Sequence, residues 1–238
     1  MAHAKGWTFT DGEDHIQAQF KALLFGSAGM SGDTKIIEAA QEMFAKFAAG
    51  DRKAIHSNIR GSVYAIVLQN GGEKEYEAIL NEFRTAKDAT EKNTALRSLG
   101  RGKDEELMKH TLSLPLSDEV KAQDVYLPIV NLRSHAAGIE ALWSWLMANW
   151  EPLQEKCPPS LTMLGTIVQI CTSSFTKPEQ LQQVQAFYKG KSTKGFERAL
   201  GQASDVVRSN SSWVERDAGD VKAWLEKEGY LGKAGEKL

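Results

Sequence analysis

Apolar residues recur at spacings of three and four along almost the whole chain, the period that lines one face of an α-helix. The runs are Ile16, Phe20, Leu23 and Leu24, then Ile36, Ile37, Met43, Phe44 and Phe47, then Ile59, Val63, Ile66 and Val67. They continue through Tyr76, Ile79, Leu80 and Phe83, through Leu96 and Leu99, through Leu107, Met108 and Leu112, and through Val125, Ile129 and Leu132. Residues 135–150 set Ile139, Leu142, Trp143, Leu146 and Trp150 on one stripe, and Trp213, Val214, Val221, Trp224 and Leu225 repeat the pattern near the end. A buried indole removes about 150–250 Å² from water, so these tryptophans are expected in the core. No stretch shows sustained period-two alternation between turn residues, which predicts essentially no sheet.

Punctuation divides the pattern into helices. Gly50, Gly71, Gly72, Gly100 and Gly102 follow apolar-periodic segments, where left-handed helix ends are expected, while Asp33, Asp104 and Ser117 stand at N-cap positions. Pro158 and Pro159 are expected to end the Trp-rich helix, and Pro178 suits the first turn of the next. Helices of about 10 to 18 residues with connections of about two to six must reverse direction at each step. The expectation is an all-α chain, an irregular α-solenoid of stacked antiparallel helix hairpins of the HEAT/armadillo kind. Residues 1–8 read as an N-terminal extension, 9–230 as the helical domain and 231–238 as a flexible tail.

Composition narrows the function classes. With 42% hydrophobic residues among 238, the chain can build a sizeable core. Its 29 basic and 31 acidic side chains leave no global attraction for nucleic acid or anionic membranes. Cys157 and Cys171 have no C-x-x-C spacing and read as free thiols in a reducing compartment. Neither an apolar run of about 18 residues nor a basic-then-apolar leader is present, so a soluble, cytoplasmic protein is expected. Asn210-Ser211-Ser212 fits the glycosylation pattern but falls inside a predicted helix.

Chemistry is sparse. His3, His15, His56, His110 and His135 are scattered, none three or four residues from another histidine or a cysteine, so no metal site and no catalytic residue is assigned. Gly190-Lys191-Ser192-Thr193 looks like the tail of a phosphate loop, yet Gln185 stands where the leading glycine belongs and a helix precedes it. Gly190 reads instead as a helix end. Gly26-Ser27-Ala28-Gly29 lacks nucleophile-elbow spacing and reads as a helix end with a turn. Lys189, Lys191, Lys194 and Arg198 crowd ten residues against Glu197 alone. They are either a solvated loop or a site for an anionic group such as the terminal carboxylate of a peptide, which Arg198 can grip through two parallel hydrogen bonds.

Five segments carry a family resemblance: LLFGSAGMSGD (23–33), NIRGSVYAIVLQNGG (58–72), LPLSDEVKAQDVYLPI (114–129), ALWSWLMANWEPL (141–153) and RALGQASDVVRSNSSWVERDAGDVKAWL (198–225). Together they resemble the C-terminal helical, ERAP1-C-like domain of M1 zinc aminopeptidases, most closely the cytosolic puromycin-sensitive branch in a form similar to fungal members. The resemblance runs in order from about Gly6 to Tyr230. It implies a bowl of helical hairpins that covers an active site and helps select peptides by length and C-terminal end. It also implies that zinc, bound through H-E-x-x-H-x18-E, and the G-A-M-E-N anchor belong to an upstream catalytic domain. Neither motif occurs in this sequence. The implied partners are that upstream M1 domain and peptide substrates, with no cofactor in this chain. Arg60 and Arg133 are further cavity candidates. The family's opening helices are expected to be missing, leaving the first hairpin uncovered and prone to self-association. The alternative is a stand-alone helical-repeat scaffold that binds a protein partner without a peptidase role.

Overall fold

The computed structural model describes residues 1–10, 12–158 and 162–231, and those residues are helical or irregular with no strand. They fall into two compact units, Met1–Trp145 and Leu146–Leu238.

The first unit holds α1 (Ala2–Lys5), α2 (His15–Met30), α3 (Thr34–Ala48), α4 (Arg60–Asn70), α5 (Glu73–Thr85), α6 (Ala89–Ser98), α7 (Glu105–Ser113) and most of α8 (Ala136–Ala148). Acidic N-caps start four of them. Asp14 accepts from the Gln17 amide at 3.1 Å, Asp33 from Ile36 at 3.2 Å, Asp88 from Thr90 at 2.8 Å and Asp104 from Glu106 at 2.9 Å. Ile36, Ala40, Phe44 and Phe47 line the inner side of α3, and Tyr76, Ile79, Leu80 and Phe83 that of α5. Each such large side chain contributes about 1.5–3 kcal/mol when fully buried. The centre is α4, which packs against α2, α3, α5 and α6 and therefore buries Val63, Tyr64, Ile66, Val67 and Leu68 around much of its circumference. Hairpins α3–α4 and α5–α6 stack through it, with α2, α4 and α6 side by side.

An ion-pair network stitches these hairpins. Arg52 grips Glu82 with two hydrogen bonds of 2.6 Å and reaches Glu91 at 3.2 Å, while Arg60 binds the other Glu91 oxygen. The Arg52 and Arg60 guanidinium groups also lie 4.4 and 5.8 Å from the Phe47 ring centre. Glu82 is only 7% exposed, so Arg52 pairs with a carboxylate largely removed from water. Arg60 thus pairs α4 with α6 through Glu91.

Several sequence expectations change in this unit. Ile16 and Leu23 are 72% and 65% exposed, and Phe20 is exposed too, because α2 turns its small residues toward α4. A Cβ on Gly29 would lie 2.3 Å from Ile66 Cδ1, so only glycine permits that approach. Gly26–Gly29 accordingly lies inside α2, which ends before the positive-φ Gly32. Among the five glycines expected to end helices in the left-handed region, Gly50 alone does so, at φ 106°. Val125, Ile129 and Leu132 are buried as expected but in consecutive turns flanked by 3-10 turns at Ala122–Asp124 and Leu132–Ser134, not in an α-helix. Pro128 cannot donate to a helical ladder, and its carbonyl would sit 2.7 Å from a Cβ on Gly100, which fixes the segment against the end of α6. Ser117 caps no α-helix, its hydroxyl donating instead to the Leu114 carbonyl at 2.8 Å.

The second unit contains α9 (Trp150–Lys156), α10 (Met163–Thr172), α11 (Pro178–Tyr188) and α12 (Glu197–Lys227). The Trp-rich segment is two helices rather than one, since Pro152 cannot donate to the Ala148 carbonyl. Trp150 still enters the core, meeting Tyr188 and Phe196 edge-on at 5.2 and 5.5 Å. Cys157 follows α9 directly and Pro158 comes next, whereas Pro159 and residues 232–238 of the expected tail lie outside the described residues. Against α12, α10 packs closely: a Cβ on Gly165 would lie 2.9 Å from Ala199 Cβ. At 31 residues α12 outruns that cover. Ala203, Val207 and Ser211 are buried, but Trp213 and Trp224 are 51% and 54% exposed, contrary to the expected core stripe.

Candidate functional site

Lys189 ends α11, Lys191 and Lys194 lie in the following loop, and Arg198 is the second residue of α12. All four are exposed, and none joins an ion pair among the described residues. Lys191 Nζ rests 4.8 Å from the Phe187 ring centre. Glu197 is occupied locally, accepting from the Gly195 amide at 3.0 Å. The sequence cluster is therefore a real surface patch with free cations, though an open one. Arg133 is exposed on the 3-10 turn Leu132–Ser134.

A deeper site lies in the first unit. The side-by-side helices α2, α4 and α6 leave a groove of about 870 Å³, lined also by Tyr126, Leu127 and Asn131. Small residues line much of it, Ala22, Gly26 and Ser27 from α2 and Gly61, Ser62 and Ala65 from α4, with Leu23 and Met30 of α2 beside them. From α6 and the 3-10 turn after it come Thr90, Asn93, Thr94 and Ser98, with two cations, Arg97 and Arg101. Among the described residues no carboxylate lines the groove.

The two arginines differ in setting. Arg97 is exposed, and its guanidinium lies 5.7 Å from the Tyr126 ring centre. Arg101 is half-buried, its Nε is shut off from solvent without a hydrogen-bond partner, and burial pulls its pKa down. Arg101 lines the groove, and a half-buried guanidinium there favours an anionic ligand, because pairing recovers lost solvation. Beside it, His135 is half-buried and accepts from the Gly138 amide at 3.1 Å through Nδ1. Burial, with Lys103 and Arg101 nearby, lowers its pKa.

The sequence reading passed over Arg97 and Arg101. The signal was available as R-x-x-x-R in RSLGR, a spacing of four that puts both cations on one helical edge. What gives that edge meaning is the small-residue faces of α2 and α4, and these come together only in three dimensions.

Other reactive residues are spoken for. Cys157 and Cys171 are buried, and burial pushes both thiols up, so neither is a ready nucleophile. Among the described residues no three or more His, Cys, Asp or Glu side chains gather as a metal site. Among those residues no helix is long and apolar enough to cross a membrane.

Residues 1–209 match the ERAP1-like C-terminal domain. The chain is similar to aminopeptidase 2 of Candida albicans, 40% identical over 226 residues, covering 94% of this chain and 24% of that protein. It is 36% identical to the mitochondrial aminopeptidase 2 of Saccharomyces cerevisiae over 230 residues, covering 97% and 24%. The alanine/arginine aminopeptidase of S. cerevisiae is 37% identical over 225 residues, covering 94% and 26%. The chain thus spans about a quarter of the length of these curated relatives.

Proposed function

Because the chain belongs to the ERAP1-like C-terminal domain family, we propose that it is the non-catalytic part of an M1 metallo-aminopeptidase that caps the active site and helps enclose and select peptides. Zinc, the activated water and the anchor for the peptide's amino end reside in the upstream catalytic portion. This chain acts by shape and charge. A cytoplasmic site of action belongs to the same proposal, and since one relative's name places it in mitochondria, cell fractionation decides it.

The observation that carries the proposal is Arg101, a half-buried cation lining a groove that has no carboxylate among its described lining residues. A peptide's terminal carboxylate is a fitting partner for this guanidinium. Arg97 adds a second cation on the same edge, and the small residues of α2 and α4 leave room for a backbone. Lys189, Lys191, Lys194 and Arg198 form a second, open anion-attracting surface, suited to steering acidic peptides more than to gripping one carboxylate. The exposed apolar edge of α2 supports self-association of the isolated chain. That same edge is what favours the alternative, a stand-alone scaffold holding a protein partner.

The test is reconstitution. This chain is combined with the separately produced upstream catalytic portion, and peptide trimming is followed with peptides bearing a free or an amidated C-terminus. Association, trimming and a preference for the free carboxylate that Arg101→Ala removes are expected. Stoichiometric, chelator-sensitive hydrolysis of aminoacyl reporters by this chain alone overturns the proposal.

A further inference from the structure

The second half of α12 presents an apolar stripe whose Trp213, Val221 and Trp224 stay exposed among the described residues. In the first half, Ala203, Val207 and Ser211 repeat every four residues and are buried where α10 and α11 pack. That packing stops at an identifiable place: the Asn210 side-chain amide donates to the Ser173 and Phe175 carbonyls at 3.0 and 3.1 Å, just past the end of α10. The same helical face then continues through Val214, Val221 and Leu225, flanked by Trp213 and Trp224, for about three turns or about 18 Å. Val221, Trp213 and Trp224 are exposed, and Tyr230 stacks on Trp224 with ring centres 5.7 Å apart.

Two exposed indoles on one helix edge are unusual for a surface that meets only water, and tryptophans of this kind dominate interfaces. A match covering 94% of a 238-residue chain must extend beyond Val221 wherever it starts, so relatives about four times longer carry a counterpart of this overhang. Charge bears on the occupant. Glu215, Asp217, Asp220, Glu226 and Glu228 outnumber Arg216, Lys222 and Lys227, so a second copy of the helix meets like charge, whereas a basic-rimmed apolar patch meets its complement.

We propose that the α12 stripe from Trp213 to Tyr230 is the seat on which the upstream catalytic portion of the parent polypeptide docks, through an apolar patch edged with Lys or Arg. This rests on the reading of the chain as part of a larger aminopeptidase. The stripe keeps that portion attached, while the α2–α4–α6 groove handles the peptide.

The experiment measures affinity by calorimetry between this chain and the part of C. albicans aminopeptidase 2 outside the matching segment. Wild type is compared with Trp213→Ser/Trp224→Ser and with Arg101→Ala. Thermal melts of each chain alone establish folding, and Val221→Lys serves as a second variant should the double variant melt early. Wild type and Arg101→Ala are expected to bind alike, and the stripe variants at least tenfold more weakly. Equal affinity of wild type and the stripe variants overturns the inference and leaves the aminopeptidase reading intact. No binding by wild type overturns that reading, and this inference with it. A wild-type dimer in sedimentation that the stripe substitutions dissolve assigns the stripe to a second copy, which also overturns the inference.

Discussion

Asn131 donates its side-chain amide to the Arg97 carbonyl oxygen at 2.7 Å. One hydrogen bond thereby fastens the irregular 122–134 segment to the stretch of chain that carries both groove arginines. Tyr126, from the same segment, faces the Arg97 guanidinium. Part of the groove lining is therefore built by a piece of chain with no long helical ladder of its own, held by Gly100, Asn131 and buried Val125, Ile129 and Leu132.

The Arg52–Glu82–Glu91–Arg60 network is expected to set the spacing of α4, α5 and α6. Removing Glu82 leaves Arg52 without its main partner. Loss of one member of a fully buried pair costs about 3–5 kcal/mol, and exposure of Arg52 reduces this, so Glu82→Ala should cost about 2–3 kcal/mol. Urea unfolding measures it. A loss under about 0.5 kcal/mol, the range of an ordinary surface pair, contradicts a structural role for the network.

Gly29→Ala should destabilise the chain by about 1–3 kcal/mol, because the new methyl meets Ile66 Cδ1. Ile66→Val removes that atom. In a double-mutant cycle the pair should cost less than the sum of the two single changes. Strict additivity places the two helices farther apart than described.

His135 gives a pH signature whose sign follows from its depressed pKa. Folding favours its neutral form, so its contribution is complete above the unfolded value near pH 6.5 and is lost as pH falls through the folded value. Stability should decline from about pH 6.5 downward, a step additional to the carboxylate losses below about pH 4. In His135→Asn, which keeps an acceptor for the Gly138 amide, the upper step should vanish from pH-dependent urea midpoints. A step that survives the substitution belongs to another group.

Exposed Ile16 and Leu23 predict concentration-dependent association of the isolated chain. Sedimentation equilibrium should show it weakened in Ile16→Lys/Leu23→Lys with thermal stability nearly unchanged. A wild-type chain that stays monomeric at every concentration speaks against this edge as a contact surface.

Legibility in the sequence depended on where the bulk lies. In α3 and α5 the large side chains face inward, so Phe44, Phe47, Tyr76 and Leu80 announced both helix and core. In α2 the approach to α4 is so close that glycine faces inward and isoleucine outward, and periodicity alone selects the wrong face. The Trp213–Trp224 stripe was misjudged for another reason. Its spacing is that of a buried face, but burial depends on how far α10 reaches, which no local pattern records. The exposed basic loop around Arg198 was visible because its charges are neighbours in sequence. Arg101 was not, because its environment is assembled from α2, α4 and α6.

The claim at the centre is that Arg101 holds the carboxylate end of a peptide. Calorimetric titration of this chain with one peptide bearing a free C-terminal carboxylate, and with its amidated twin, tests it most directly. Hydrogen bonds to charged groups are worth about 1.5–3 kcal/mol, so the free form should bind roughly tenfold or more tightly, and Arg101→Ala should abolish the difference. Equal affinity of the twins for the wild-type chain, or a preference that survives Arg101→Ala, contradicts the account.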